Sequence, residues 1–262
     1  MQPNPVKATL AAGDPAFGTM AFEFFTPSLA QIVKAAGADF ILYDMEHSGV
    51  SVETMKGQFA CCRGIGLPAF VRVPTTQYHF IARVLDAGAL GIMVPMVETR
   101  EQAELIVSCT RYPPLGRRGA VFGVAPHDDY LPGSVTDKIA AANERTLVIC
   151  LVETAVGIEN VDAIAAVPGV DVVWLGHFDL TNFLGIPAQF EHPRYLKAVD
   201  DLLGACKRHG KTPGFMAADD VWAKDYRARG FRAIAYSIDV LLMQSALAKG
   251  LATLRENEAR KG

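Results

Sequence analysis

The chain carries almost no net charge: 25 Lys and Arg stand against 28 Asp and Glu, a balance of -3 at pH 7. It has no basic excess with which to neutralise a phosphate backbone or an anionic membrane surface, so neither nucleic acid nor membrane is an expected partner. No apolar run approaches the roughly 18 residues of a membrane span. The opening MQPNPVKATLAAGDPAFG also lacks the basic start and apolar stretch of a secretory leader. Cysteine is sparse, an odd set of 5 with no CxxC pair and with Cys61 and Cys62 adjacent, which argues against a disulfide framework or a zinc site. A soluble cytoplasmic protein with reduced thiols is expected. Three glycine-built signatures are missing as well: the GxGxxG dinucleotide turn, the GxxxxGK[ST] phosphate loop and the GxSxG nucleophile elbow.

What is present is enough apolar residue to build a full core: 262 residues, 50% hydrophobic and 20% charged. Short apolar or β-branched runs alternate with stretches at helical spacing. Candidate strands are Phe17 to Phe22, Phe40 to Asp44, Ala69 to Val73, Gly91 to Val97, Leu147 to Glu153, Asp171 to Gly176, Thr212 to Met216 and Ala233 to Ser237. Between them lie helical patterns, several of which close on a glycine suited to a left-handed C-cap: Gly37, Gly88, Gly210 and Gly230. Near-continuous apolar strands separated by helices describe a parallel sheet, and this many units suit a closed (β/α)8 TIM barrel spanning 1-262 as one domain. An open doubly wound sheet is the alternative, disfavoured by the missing GxGxxG turn.

Two segments fall outside the rhythm. The connection from Arg111 to Asn143, rich in Gly and Pro, exceeds the usual few residues between barrel elements and is read as a partial lid over the C-terminal mouth; an oligomer contact is the other reading. The last segment, Val240 to Lys261, reads as a helix that is apolar first and charged later.

Barrel enzymes place their chemistry where strands end. Here the strand ends carry Asp44, Glu46 and His47; Arg72; Glu153; and Gly176, His177, Phe178 and Asp179. Glu153 and Asp179 each terminate an apolar strand, where an unpaired charge is costly to desolvate. Two carboxylates with the other positions left to water and substrate fit a hard divalent ion better than zinc. The competing reading makes both acids helix N-caps, and the residues alone leave both open. His47 is a candidate general base with Asp44 or Glu46 orienting its ring, or else a surface loop histidine. Arg72 is a candidate for holding a carboxylate or enolate oxygen, or else an internal ion pair with Asp44 or Asp86. No lysine falls at the C-terminal end of a candidate strand, and Lys211 lies before one. A Schiff-base mechanism, which needs a lysine in the pocket, is therefore disfavoured.

These residues sit in AGADFILYDMEHSGVSVE, FVRVP, VLDAGALGIMVPMVET, RYPPLGRRG, LVETAVGIENVDAIAAVPGVDVVWLGHFDLT and GKTPG, whose order and spacing resemble the HpcH/HpaI family of class II pyruvate aldolases over nearly the whole chain. The resemblance implies a metal-dependent lyase that reversibly cleaves a 4-hydroxy-2-oxo acid to pyruvate or hydroxypyruvate and an aldehyde, through a metal-bound enolate. It implies Glu153 and Asp179 as ligands of Mg2+, Mn2+ or Co2+, His47 supported by Asp44 as acid–base group, and Arg72 as substrate contact. Asp86 falls where the family has an aspartate able to reach a neighbouring subunit's site. It further implies a homo-oligomer, a hexamer built as a trimer of dimers, with an exchanged C-terminal helix. An oxaloacetate decarboxylase and a malyl- or citramalyl-CoA type lyase are alternatives on the same barrel; the latter needs a basic surface, for which Arg117 and Arg118 are the candidates. Two departures stand out: Leu151 where some members carry glutamine, and His177-Phe178 in a loop that elsewhere reads Pro and a small residue. Gly176, His177, Phe178 and Leu151 are accordingly expected at the substrate, with His177 offering a polar contact near the metal.

Overall fold

The computed structural model describes residues 1-259, with side chains to 256. Its strands are β1 (Ala16–Ala21), β2 (Phe40–Asp44), β3 (Ala69–Arg72), β4 (Gly91–Val94), β5 (Leu147–Val152), β6 (Val172–Leu175), β7 (Thr212–Ala217) and β8 (Ala233–Ile238). They pair in sequence order, all parallel, and β8 returns to β1 to close the barrel. Every expected strand exists, with ends moved by up to three residues, and closure removes the open-sheet alternative. The largest change is at β4, which stops at Val94 because Met96 adopts a left-handed φ of 56° that no strand can continue.

The helices are α1 (Pro5–Ala11), α2 (Leu29–Ala35), α3 (Val52–Gly64), α4 (Tyr78–Asp86), α5 (Arg100–Thr110), α6 (Val135–Arg145), α7 (Ala155–Glu159), α8 (Val161–Ala165), α9 (His177–Phe183), α10 (Pro193–His209), α11 (Asp220–Arg229) and α12 (Asp239–Ala259). The two-residue period of a strand divides the apolar residues between two cores. Along β5, Leu147, Ile149 and Leu151 fill the barrel interior, while Val148, Cys150 and Val152 pack outward against helices. Continuing that alternation aims Glu153 inward. A tight interior requires glycine where a bulky neighbour intrudes: a Cβ on Gly214 of β7 would collide with the Trp174 indole of β6.

The segment from Arg111 to Asn143 does not cover the C-terminal mouth. It joins a helix to a strand, so it begins and ends at the N-terminal end of the barrel, whereas a lid over the catalytic rim is built from strand-to-helix loops. Arg111 Nη2 donates to the carbonyl of Thr146 at 3.1 Å, and Arg63 Nη1 donates to that of Pro126 at 3.1 Å. Midway the chain climbs the flank of α4, where Arg118 meets Asp86 at 2.6 Å and Gly119 N donates to Tyr78 Oη at 2.8 Å. A short 3-10 turn (Pro126–Asp128) and the start of α6 occupy the rest. The C-terminal helix begins one residue earlier than expected, and residues 260 and 261 of the expected span lie outside the described residues. From 241 to 256 every α12 residue is exposed, leaving Leu247 at 56% and Leu254 at 64% open to solvent. The helix thus leaves its own barrel, and an apolar groove of about 600 Å³ remains where Phe17, Leu29, Ile32, Val33 and Ile41 face outward.

The long connection is anchored by Asp128, fully buried, whose Oδ2 accepts from Lys138 Nζ at 2.6 Å and from Gly123 N at 2.5 Å. Burial alone would raise this carboxyl; the lysine and the amide outweigh it and hold it below the usual carboxylate range. Its stabilising contribution is therefore present above a free carboxyl's pKa of about 4 and lost as pH falls through the depressed value. Asp128→Asn, which strands the Lys138 charge, is expected to cost about 3 kcal/mol in denaturant unfolding, with most of it regained in Asp128→Asn/Lys138→Met. A single variant as stable as the parent would show that the pair does not hold the segment.

Candidate active site

The register sets Asp44 directly beside Arg72 at the ends of β2 and β3. Asp44 is fully buried and uses both oxygens. Oδ1 accepts from Arg72 Nε at 2.5 Å and from Glu46 N at 3.2 Å; Oδ2 accepts from His47 N at 2.8 Å. Asp44 therefore braces the loop backbone and the arginine, but not the imidazole. It is Glu46 whose Oε2 lies 3.5 Å from His47 Nε2 and 3.2 Å from Arg72 Nη1. The internal ion pair anticipated for Arg72 is with Asp44, and Asp86 has no part in it. The guanidinium also lies over the Phe22 ring at 5.3 Å and remains on the wall of the central cavity.

Neither Glu153 nor Asp179 caps a helix. Thr154 caps α7, its hydroxyl accepting from Gly157 N at 2.9 Å, and Gly176 occupies the cap position of α9 with Asp179 in the first turn. Glu153 is 3% exposed and points into the barrel mouth, where Oε1 accepts from Met96 N at 2.8 Å. The left-handed turn that ends β4 thus delivers an amide to this acid. Gly176 is required here for a second reason: a Cβ would overlap the Glu153 side chain. Burial pushes Glu153 up to about 7, with Glu46 and Asp179 adding repulsion against the Met96 amide and Arg72. Glu46 is raised too, by burial first, with Arg72 and His47 opposing and Asp44 and Asp179 reinforcing.

Several carboxylates thus crowd one arginine, an excess of negative charge that a cation relieves. The donors are all oxygen, and Asp179 accepts no side-chain hydrogen bond among the described residues. No group of three or more His, Cys, Asp or Glu side chains is placed for metal binding among the described residues. A hard divalent ion that keeps several waters suits this two-carboxylate set, and a zinc or copper site does not.

The cavity between these groups has a volume of about 230 Å³ and is bounded by His47, Arg72, Glu153 and Asp179, with Met20, Met93, Trp174 and Met216 below. Leu151 lies two residues before Glu153 on the same interior wall, 3% exposed, and Phe178 stands at the rim, 53% exposed. His177 departs from expectation. Its ring is packed among Phe178, Phe190, Phe215 and Trp222 at centroid distances of 4.7, 5.7, 4.9 and 5.0 Å. Burial depresses it to about 4, leaving a neutral ring whose Nε2 has no partner. It is a packing residue between α9 and β7, without the anticipated side-chain contact at the metal. Asp86 sits at the far end of α4 on Arg118 and is not brought to this cluster.

Two contributors escaped the sequence reading. Met96 matters through its amide and φ, which an MVPMVET run does not advertise. Asp239, at the end of β8, accepts from the amides of Phe22, Glu23 and Phe24 at 3.1, 2.9 and 2.8 Å and so fixes the β1 loop that carries Phe22. It follows an apolar strand as Glu153 and Asp179 do, and that signal was available.

Known proteins resemble this chain over nearly its whole length. Residues 21–246 match the family model of HpcH/HpaI aldolase/citrate lyase. The chain is 34% identical over 247 residues to a 5-keto-4-deoxy-D-glucarate aldolase of Escherichia coli (strain K12), covering 94% of this chain and 95% of that protein. It is 34% identical over 252 residues to a 2-keto-3-deoxy-L-rhamnonate aldolase of Salmonella gallinarum, covering 96% and 93%. The crystal structure of an HpcH/HpaI aldolase from Desulfitobacterium hafniense DCB-2 superposes with a TM-score of 0.92 at 31% identity, over 97% of this chain and 98% of that one. With its barrel, its strand-end acids and these relatives in agreement, the chain is a lyase and belongs to the HpcH/HpaI aldolase/citrate lyase family.

Proposed function

We propose that this protein is a divalent-metal-dependent aldolase that reversibly cleaves a 4-hydroxy-2-oxo acid into pyruvate, or hydroxypyruvate, and an aldehyde. The observation that carries the reading is the facing of Glu153 and Asp179 by Arg72 and His47 across one small cavity. Members of the family generally depend on a divalent metal. Mg2+, Mn2+ or Co2+ held by Glu153 and Asp179 would supply electron withdrawal from the substrate's ketone and carboxylate.

Arg72, clamped from behind by Asp44, presents its remaining N–H groups to the C2 oxygen, where negative charge grows as the bond breaks. His47 accepts the C4 hydroxyl proton, with Glu46 Oε2 3.5 Å from its Nε2. The C4–O electrons form the aldehyde carbonyl, the C3–C4 bond breaks, and its electron pair moves into a C2–C3 enolate. Return of a proton to C3 yields the oxo acid product. Amides at the start of α9, Gly176 to Phe178, would receive the substrate carboxylate at the positive end of the helix. The relatives named above act on 5-keto-4-deoxy-D-glucarate and 2-keto-3-deoxy-L-rhamnonate, and sugar-derived oxo acids are the first substrates to offer this chain. Against a CoA-thioester substrate, Arg118 is buried on Asp86, which leaves only Arg117 of the basic pair that such a ligand needs.

The exposed leucines of α12 and the open groove beside β1 support exchange of this helix between copies in a homo-oligomer, the assembly that the family resemblance implies.

Treatment with EDTA is expected to abolish pyruvate release from a 4-hydroxy-2-oxo acid, and Mn2+ or Mg2+ to restore it; undiminished turnover in excess chelator would overturn the metal-dependent reading. Gly176→Ala should leave the fold intact by circular dichroism yet weaken metal activation about 10- to 100-fold, since the new methyl displaces Glu153. An unchanged activation curve would show that Glu153 is not a ligand. Chain shortened after Val240 should lose the native oligomer mass in light scattering. Retention of that mass would refute helix exchange.

A further inference from the structure

Arg72 is tied to Asp44 through Nε, at 2.5 Å. The N–H groups of a guanidinium lie in its plane, so this bond resists sliding within the plane more than rocking out of it. An aromatic face steadies a planar cation in that second direction, and Phe22 supplies one, its ring centroid 5.3 Å from Cζ. Both side chains border the catalytic cavity. The angle of the arginine therefore depends on where Phe22 stands.

Strand pairing does not hold Phe22 in place. β1 ends at Ala21, whose registered partner on β2 is Tyr43, and the last pair with β8 is Met20 opposite Ile238, after a shift of register between Gly18 and Met20. Phe22 is thus the first residue beyond both ladders. The residue that follows Ile238 takes over from the ladder with its side chain. Asp239 Oδ1 accepts from Phe22 N at 3.1 Å, and Oδ2 accepts from Glu23 N at 2.9 Å and Phe24 N at 2.8 Å.

Oδ1 also accepts from Val240 N at 2.8 Å, so all four of these bonds come from main-chain amides. A carboxylate serving only the start of α12 would need that last bond alone. The other three reach residues 215 to 217 positions away in the chain. Bonds from amides to an ionised carboxylate are stronger than the neutral ladder bonds they replace. Asp239 is 7% exposed and is not on the wall of the catalytic cavity.

We propose that Asp239 is a positioning residue for the lyase reaction. By collecting the amides of Phe22, Glu23 and Phe24 it seats the Phe22 ring against Arg72, and so fixes the angle at which the guanidinium meets the substrate's C2 oxygen. This rests on the aldolase reading above and on the part it gives to Arg72.

Two measurements on the full-length protein test it. In protein whose arginines carry an NMR-active nitrogen isotope, and without substrate, the Arg72 Nε–H signal is assigned by its loss in Arg72→Lys. Phe22→Leu is expected to shift that signal by removing the ring current. Asp239→Asn, which sets an NH2 group against amides that need an acceptor, is expected to shift it in the same direction. In steady-state kinetics with Mn2+, Asp239→Asn should lower kcat about tenfold and leave KM within about twofold of the parent, because the Arg72 contact strengthens as charge grows on the ketone oxygen. Phe22→Leu/Asp239→Asn should lose no more than the worse of the two single variants. An Arg72 signal that stays in place in Asp239→Asn overturns the proposal, as do an unchanged kcat or losses that multiply in the double variant. Absence of turnover by the parent on every 4-hydroxy-2-oxo acid offered sinks the aldolase reading instead, and the Arg72 signal then decides alone whether Asp239 seats the arginine. If Asp239→Asn fails to fold, Asp239→Glu, which keeps the acceptor oxygens but displaces them by one methylene, carries the same readings.

Discussion

Closing eight parallel strands into a barrel brings every strand's C-terminal end to one rim, and the charged groups gathered there must be reconciled in a space too small for bulk water. The Asp44–Arg72 pair is the fixed point of that reconciliation. Strand register puts the two side by side, and complete burial of Asp44 leaves it no partners except Arg72 and the loop amides that follow. Because both oxygens are consumed in this way, the arginine cannot turn toward solvent and His47 cannot drift from the rim. The catalytic geometry follows from a pair that is structural in its bonding.

On the opposite wall the constraint is steric. Glu153 fits only because Gly176 has no side chain and because Met96 takes a left-handed φ that points its amide at Oε1. A non-glycine residue in that conformation is uncommon, and its cost is met by a charge-assisted hydrogen bond. Even so, one amide and one arginine do not balance Glu153, Asp179 and Glu46. Burial raises the Glu153 carboxyl first, and repulsion from Glu46 and Asp179 adds to it. On the proposed reading, a cation held by Glu153 and Asp179 would offset this crowding of carboxylates.

Much of this was legible in the sequence because it follows from period and position. Apolar runs ending in an acid, a histidine or an arginine announce a barrel rim, and the strand count and the rim residues came from that pattern. What stayed hidden depends on features without a residue-type signature. The cap reading of Glu153 fails at a single position, with Thr154 taking the cap and freeing the acid. The segment after Arg111 differs from the lid its length suggests because it leads from a helix into a strand: it begins and ends at the N-terminal end of the barrel and reaches only the flank of α4 between. His177 differs from the polar contact its residue type suggests because its ring packs against Phe215, although it borders the same cavity as Asp179.

That last distinction separates the two departures from the family pattern. His177 stands among aromatic rings, so its consequence is for the packing of α9 and for the direction in which that helix presents its first amides. Leu151 and Phe178 border the cavity with wholly apolar side chains. Neither side chain can donate or accept a hydrogen bond, so wherever a relative holds a substrate oxygen at those positions, this wall offers only contact area. On the proposed mechanism the polar groups of the pocket are already committed: Glu153 and Asp179 to a cation, Arg72 to the ketone and His47 to the proton. A substrate hydroxyl directed at Leu151 or Phe178 would lose its water and gain nothing in exchange. Selectivity at this face therefore acts by exclusion, favouring the aldehyde half that turns carbon toward it.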